Sequence, residues 1–505
     1  MKSLSTLVLL LLASIAQATS YYFSSSGDDS YSSQQAQNPA SPWKTLNKLN
    51  SLFGELKPGD AVYFKRGDVF TGTITVSASG TAANPIVIAS YGNGANPVIT
   101  GFSRLGQWST AGSGIWVSEV GLDDNESINT VLLNSIMQPL GRFPNRNAVN
   151  GGYLIYETYS GSSSITDQQL SSSPQWNNAE VIIRKNRWVL DRNKVEAHSG
   201  STVTYKSETG YYGTNNYGYF FQNHPATLDQ PGEWYYDQDK KKLGIYLGSQ
   251  NPSAFAIDAA LSRTLVTISR HHHLIFKNLD LSGSNISTFR LSEAQGITIE
   301  NCNLLQAGTD AVTANNTTGL VIRNTLFEGT NNIAFNGDNC SNTTLSNNRF
   351  INTGIHPGMG KGNSGSYEAI LLSGNNNLVE YNTISNTGYI PITFSGNAVT
   401  VKNNVISNFA LVKDDGGGIY TWNNSTNPPV NADRKIIGNI ISKGRGAGEG
   451  TDHPNQAQVH GIYIDDNADH VVIQGNTVSE CAATGIFLHN AHDISLIGNT
   501  LYNNS

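Results

Sequence analysis

Two acidic pairs, and the aromatic residues that follow them, carry most of the chemistry open to this sequence. Lys413-Asp414-Asp415 runs into Gly416-Gly417-Gly418-Ile419-Tyr420-Thr421-Trp422, and His460-Gly461-Ile462-Tyr463-Ile464 runs into Asp465-Asp466. Tyr367-Glu368 precedes both segments, and Gly485-Ile486-Phe487-Leu488-His489 follows them. Two carboxyl groups at a suitable separation act on one bond as general acid and as general base or nucleophile. Lys413 or His460 could instead serve as a base. The same aspartates could also cap turns or hold Ca²⁺.

These segments belong to a repeat that must position them. From residue 276 a six-residue phrase recurs, apolar at both ends, with Asn usually at its third or fourth place: Phe276–Leu281, Ile299–Leu304, Ile322–Phe327, Leu345–Phe350 and five later copies ending at Leu496–Leu501. Intervals between fourth places are 23, 23, 23, 34, 22, 35, 37 and 23 residues. That period is too short for two-helix repeats. The leucine-rich repeat has a similar period, but the missing Leu-x-x-Leu-x-Leu frame argues against it. Alternating β-branched segments read as short strands. About 23 residues hold three strands and three turns, one coil of a right-handed parallel β-helix with about 4.8 Å between coils. Asn at the fourth place of the last six phrases predicts a ladder of stacked amides.

The three long intervals, 348–382, 404–439 and 439–476, contain the acidic and aromatic segments. Insertions in a solenoid cluster on one side, often the binding side. Aligning Ile370, Ile392, Ile419, Ile462 and Ile486 as an inward column puts Leu371, Thr393, Tyr420, Tyr463 and Phe487 on the outer face. Ser373, Ser395, Trp422, Asp465 and His489 then form the next outward column. Rings beside an acid suit a sugar, whose faces stack on aromatics while its hydroxyls bond carboxylates; the rings could also only stabilise the sheet. Glu368, Gly417 and His460 share another column. Asp415 and Asp465 do not share one, so their pairing requires the turn at Gly416–Gly418 to fold back. Asp310 falls at the same end of the strands as Glu368.

The first half reads differently. Met1–Lys2, the apolar run Leu7–Leu12 and Ala16-Gln17-Ala18 form a signal peptide, residues 1–18, cleaved near Ala18. The protein is expected to be exported, to the periplasm, the cell surface or the medium. No later stretch is apolar enough for a membrane span. Residues 19–102 supply a cap and the first coils. Ser41-Pro42 is expected to start a short helix carrying Leu46, Leu49 and Leu52. Residues 103–260 lose the period and read as a β-rich insert, and 261–505 form the β-helix that carries the candidate site. Three Cys cannot build a disulfide framework. A net charge of −7 argues against nucleic acid as the partner. Asn499 lies six residues before Ser505, so the rod is expected either to continue in a longer chain or to be covered by something else.

The segments Pro58–Asp68, Gly141-Arg142-Phe143-Pro144-Asn145, Gly232-Glu233-Trp234, Asp415–Tyr420 and Gly461–Asp466 together resemble exported right-handed β-helix proteins that act on polysaccharides. They are most similar to β-helix glycoside hydrolases with an insert domain, of the α-fucosidase/xylanase type. The resemblance implies aspartates as acid and base, with Asp415 and Asp465 at the matching positions, and a polysaccharide substrate. Three functions follow as expectations. The first is a glycoside hydrolase, with Asp415, Asp465 and Glu368 as the carboxyls and His460 orienting them. Tyr420, Trp422, Tyr463, His489, Asp414 and Asp466 would contact substrate, and no cofactor is required. The second is a polysaccharide lyase that uses Lys413 or His460 as base, with Ca²⁺ or Arg neutralising a uronate. The third is a non-catalytic carbohydrate-binding surface protein.

Overall fold

A computed structural model describes residues 18–122, 126–423 and 430–505. The signal peptide expected at 1–18 falls almost wholly outside the described residues. The chain forms a right-handed parallel β-helix. Its three sheets contain twelve, eleven and ten strands among the described residues, each strand pairing with its equivalent in the next coil. One continuous apolar core fills the rod from Phe23 to Cys481. The three cysteines are buried and free.

The recurring phrase proves to be a corner rather than a strand. Its first residues end a strand of the twelve-stranded sheet, as in His272–Lys277, and its last residues start one of the eleven-stranded sheet, as in Asp280–Ser282. Its third place is the bend. Asn278, Asn301, Asn324, Asn347, Tyr381 and Asn403 adopt φ of 52–57° there, and Gly438, Gly475 and Gly498 follow with φ of 59–64°. Asn and Gly tolerate this left-handed conformation best, which explains their recurrence. The fourth place turns inward. Asn348 N–H donates to Asn382 Oδ1, Asn382 to Asn404, Asn404 to Asn439, Asn439 to Asn476 and Asn476 to Asn499, all at 2.9–3.0 Å. Each amide also donates to a carbonyl, as Asn404 Nδ2 does to Val379 O at 3.0 Å. The ladder therefore satisfies corner backbone groups that the sheets leave unpaired.

The capping helix spans Leu46–Phe53 and starts later than Ser41-Pro42 implied. Asp29 Oδ1 accepts from Lys44 N and Thr45 N at 2.7 and 3.0 Å, holding that stretch extended, and Thr45 caps the helix by accepting from Lys48 N at 3.1 Å. Trp43 lies outside the helix, buried and stacked on Tyr21 at 5.5 Å. Between Phe102–Arg104 and Ile257–Ala260 the strands pair antiparallel, in two four-stranded sheets and one eight-stranded sheet among the described residues. The eight-stranded sheet docks on the rod's long loops: Tyr153, Ile182, Leu190 and Phe220 pack against Tyr367, Tyr389, Ile390 and Val412. No helix among the described residues is long and apolar enough to cross a membrane.

Candidate active site

The site sits where two strands of the ten-stranded sheet, Gly416–Thr421 and Val459–Ile464, run side by side. Their pairing joins Gly417 to His460 and Ile419 to Ile462 but skips Gly418 and Gly461. A Cβ on Gly418 would lie 2.6 Å from Ile441 Cγ2, and one on Gly461 would lie 2.1 Å from Val478 Cγ1. Both glycines therefore point into the core, as do their neighbours Ile419 and Ile462, which are fully buried. Two successive inward residues reset the alternation in both strands together, with the register between them unchanged. In consequence Gly417 and His460 emerge on the same outer face as Tyr463: a Cβ on Gly417 would meet Tyr463 Cβ at 2.9 Å. Strict alternation could not give this, and it is how the Asp415 end of the strand is brought onto the face that carries Asp465.

The expected outward column is present. Leu371 pairs with Thr393, Thr393 with Tyr420, Tyr420 with Tyr463 and Tyr463 with Phe487. Tyr420 and Tyr463 meet edge-on at 5.2 Å, and Tyr463 lies 5.0 Å from Phe487. Asp465 stands at the end of this ladder. Its Oδ2 accepts from Tyr420 Oη at 2.9 Å, and its Oδ1 bonds His489 Nδ1 at 2.7 Å and accepts from Asp466 N at 2.8 Å. These three contacts fix the plane of the carboxylate. His489 is half exposed, and its bond to Asp465 raises its pKa. Trp422 is half exposed and follows Thr421, whose carbonyl accepts from Asp465 N at 2.9 Å.

Asp415 occupies the turn before the strand, with φ of 58°. Tyr389 Oη donates to its carbonyl at 2.7 Å. Burial, reinforced by the negative charges of Asp414 and Asp465, pushes the Asp415 carboxyl up to about 6. Asp414 is wholly buried: Arg187 of the insert pairs with its Oδ2, and Gln458 N donates to its Oδ1 at 2.8 Å. It anchors the insert to the rod and presents no open face to a ligand. His460 bonds Thr484 Oγ1 through Nδ1 at 2.8 Å and stacks on Phe487 at 4.4 Å. Burial pushes it down to about 4, which keeps the imidazole neutral.

Glu368 and Lys413 lie beneath the surface. Lys413 Nζ donates to Asn363 O, Ser364 O and Ser366 Oγ at 3.2, 2.7 and 3.1 Å and lies 4.3 Å over the Tyr389 ring. Burial lowers the lysine and raises Glu368, whose Oε2 is buried without a hydrogen-bond partner. Asp310 sits apart, accepting from Asn332 Nδ2 at 2.7 Å and facing Lys361 at 3.5 Å. Asp465, Asp466 and His489 each offer one ligand atom within 4.8 Å of the others. Ca²⁺ takes six to eight oxygens, whereas this group contains an imidazole already bonded to Asp465. Sequence reasoning missed Arg187, Tyr389 and Thr484, the groups that hold Asp414, Asp415 and His460. No local pattern marks them, since Arg187 lies 227 residues from its partner.

The family described as the right-handed β-helix region matches residues 361–505. A curated relative, the lacto-N-biosidase of Bifidobacterium longum subsp. longum, is 34% identical over 78 residues, which is 15% of this chain and 5% of that protein. The chain thus matches only about a twentieth of that relative's length. A solved structure described as a glycoside hydrolase superposes over 96% of both chains with a TM-score of 0.73 at 15% identity, which establishes the shared fold. A lacto-N-biosidase from Eubacterium ramulus, 13% identical, covers 95% of this chain and 68% of its own with a TM-score of 0.41.

Proposed function

We propose that this protein is an exported glycoside hydrolase acting on a polysaccharide. Asp415 is the general acid and Asp465 is the carboxylate that activates water or attacks the anomeric carbon. The observation that carries this reading is the division of labour between the two groups. Asp415 is desolvated and holds its proton up to about pH 6, whereas Asp465 is oriented by Tyr420, His489 and the Asp466 amide on the face that carries the rings. One carboxyl that keeps its proton, with a second fixed in place near it, is what acid–base cleavage of a glycosidic bond requires. The half-exposed Trp422 is placed to stack on a sugar ring, whereas Tyr463, expected as an open ring, is buried among Tyr420, His460 and Phe487 and supports the face from below. The likeness to β-helix hydrolases of the α-fucosidase/xylanase type supports the same pair.

A lyase would need Lys413 or His460 as base. The Lys413 ammonium is buried and committed to three acceptors. His460 has one ring nitrogen bonded to Thr484, and its ring is covered by Phe487. Hydrolysis is therefore the preferred reading. Asp465→Asn keeps the shape but removes the charge. It is expected to lower kcat by about 10²–10⁴-fold with unchanged circular dichroism and sugar binding. A folded variant with full turnover removes Asp465 from the mechanism. Binding without turnover even in the wild type supports the carbohydrate-binding surface protein instead.

A further inference from the structure

Three sequence segments left unused by the Asp415–Asp465 site meet at one cavity of about 370 Å³. They are Gly141–Asn145, Gly232–Trp234 and the loop His356–Lys361, and they supply Arg142, Asn145, Glu233, His356 and Met359 to its wall. Arg142 is 8% exposed. Its Nε donates to Pro144 O at 3.0 Å, its Nη2 donates to Gly152 O at 2.7 Å, and its guanidinium lies 3.6 Å over the Phe220 ring. Its Nη1 has no hydrogen-bond partner, and among the described residues Arg142 makes no ion pair. Asn145 Oδ1 is also buried without a partner, while its Nδ2 donates to Asp229 at 2.9 Å.

The balance of charge defines what the cavity lacks. Arg146 adds a second guanidinium at the wall, with its Nη1 on Ile355 O at 3.2 Å. His356 is kept neutral, because burial and then Arg146 push it down to about 4. The carboxyl on the wall, Glu233, accepts from Asp229 N and Gln230 N at 2.9 Å each, and burial raises its pKa. Of the carboxyls near the two guanidinium groups, Glu233 is committed to backbone N–H groups and Asp229 to Asn145 Nδ2, and neither bonds Arg142 Nη1. A buried cation without a carboxylate is unfavourable unless something compensates it, and guanidinium forks match carboxylates in shape. Pro139, Leu140, Pro231 and Met359 give the rest of the wall an apolar character suited to the body of a ring. The volume falls within the range of small-molecule sites, near its lower end.

We propose that this cavity binds a single sugar ring bearing a carboxylate. Arg142 and Arg146 receive the carboxylate, and Asn145 accepts from a ring hydroxyl. The site shares no lining residue with the Asp415–Asp465 site, so its occupancy does not depend on the hydrolase reading.

The test is ligand-observed NMR titration of the full chain with D-galacturonate, D-glucuronate, D-galactose and acetate. At least one uronate is expected to bind tenfold or more tightly than galactose and acetate. Arg146→Ala and Gln230→Trp change exposed positions at the cavity, and thermal melts check that both variants fold. The first is expected to weaken uronate binding about tenfold and the second to abolish it. Repeating the titration on Asp465→Asn is expected to give the wild-type affinity, which separates this site from catalysis. The assignment is overturned if no uronate binds, if galactose or acetate binds as tightly, or if both cavity variants bind uronate like the wild type.

Discussion

At the scale of single residues, the account turns on the proton of Asp415. Its pKa rises from 3.8 in an ordinary setting to about 6 in the fold, so the folded protein holds this proton more tightly than the unfolded chain does. The associated stability is fully present below about 3.8 and is lost as pH rises through 6. Above that pH the charged carboxylate destabilises the fold by about 1–3 kcal/mol. Asp415→Asn removes this penalty. Relative to wild type, the variant is expected to gain about that much stability between pH 4 and pH 8 in urea titrations, while losing turnover. Identical pH dependence in the two proteins would show that Asp415 is not desolvated. The candidate acids and rings were legible at this scale, because acids and aromatics concentrate in the three long intervals. Their protonation was not, because it depends on Arg187, Asp414 and burial contributed by distant segments.

At the scale of the strand, the decisive feature is the pair of inward glycines. Gly418 and Gly461 let two consecutive residues enter the core, and this places His460, Tyr463 and Asp465 on one face. A methyl group at 418 would lie 2.6 Å from Ile441 Cγ2 and 2.8 Å from Gly461 O. Overpacking of this kind typically costs about 1–3 kcal/mol. Gly418→Ala is therefore expected to lower stability by that amount and to reduce kcat more than tenfold by moving Asp415 away from Asp465. Gly106→Ala, whose added carbon meets nothing within 4 Å, serves as the control. If Gly418→Ala retains full activity, the paired inward glycines do not set the site. The glycine run was visible in the sequence as a place of backbone freedom. The break in alternation was not, since a strict period of two allows no two successive inward residues, and under that assumption Asp415 and Asp465 fell in different columns.

At the scale of the whole molecule, the chain is a rod whose corners are fixed by Asn and Gly and whose functional face is built where the extra loops meet the insert. The rod was legible because its period recurs and its corners demand left-handed residues. The docking of the insert was not legible: Arg184 reaches the carbonyls of Ala447 and Glu449, and Arg187 reaches Asp414, across separations of more than 220 residues. These contacts wall one side of the acidic turn, so on the hydrolase reading the insert shapes the site without supplying a reacting group. The most direct test of the hydrolase reading is to incubate the purified protein with a polysaccharide panel and to measure reducing ends and ultraviolet absorbance in the same samples. New reducing ends without absorbance are predicted on at least one substrate, with the rate falling as pH rises past about 6 and dropping about 10²–10⁴-fold in Asp465→Asn. Ultraviolet-absorbing unsaturated uronides, or release of reducing ends at the wild-type rate in Asp465→Asn, would contradict it.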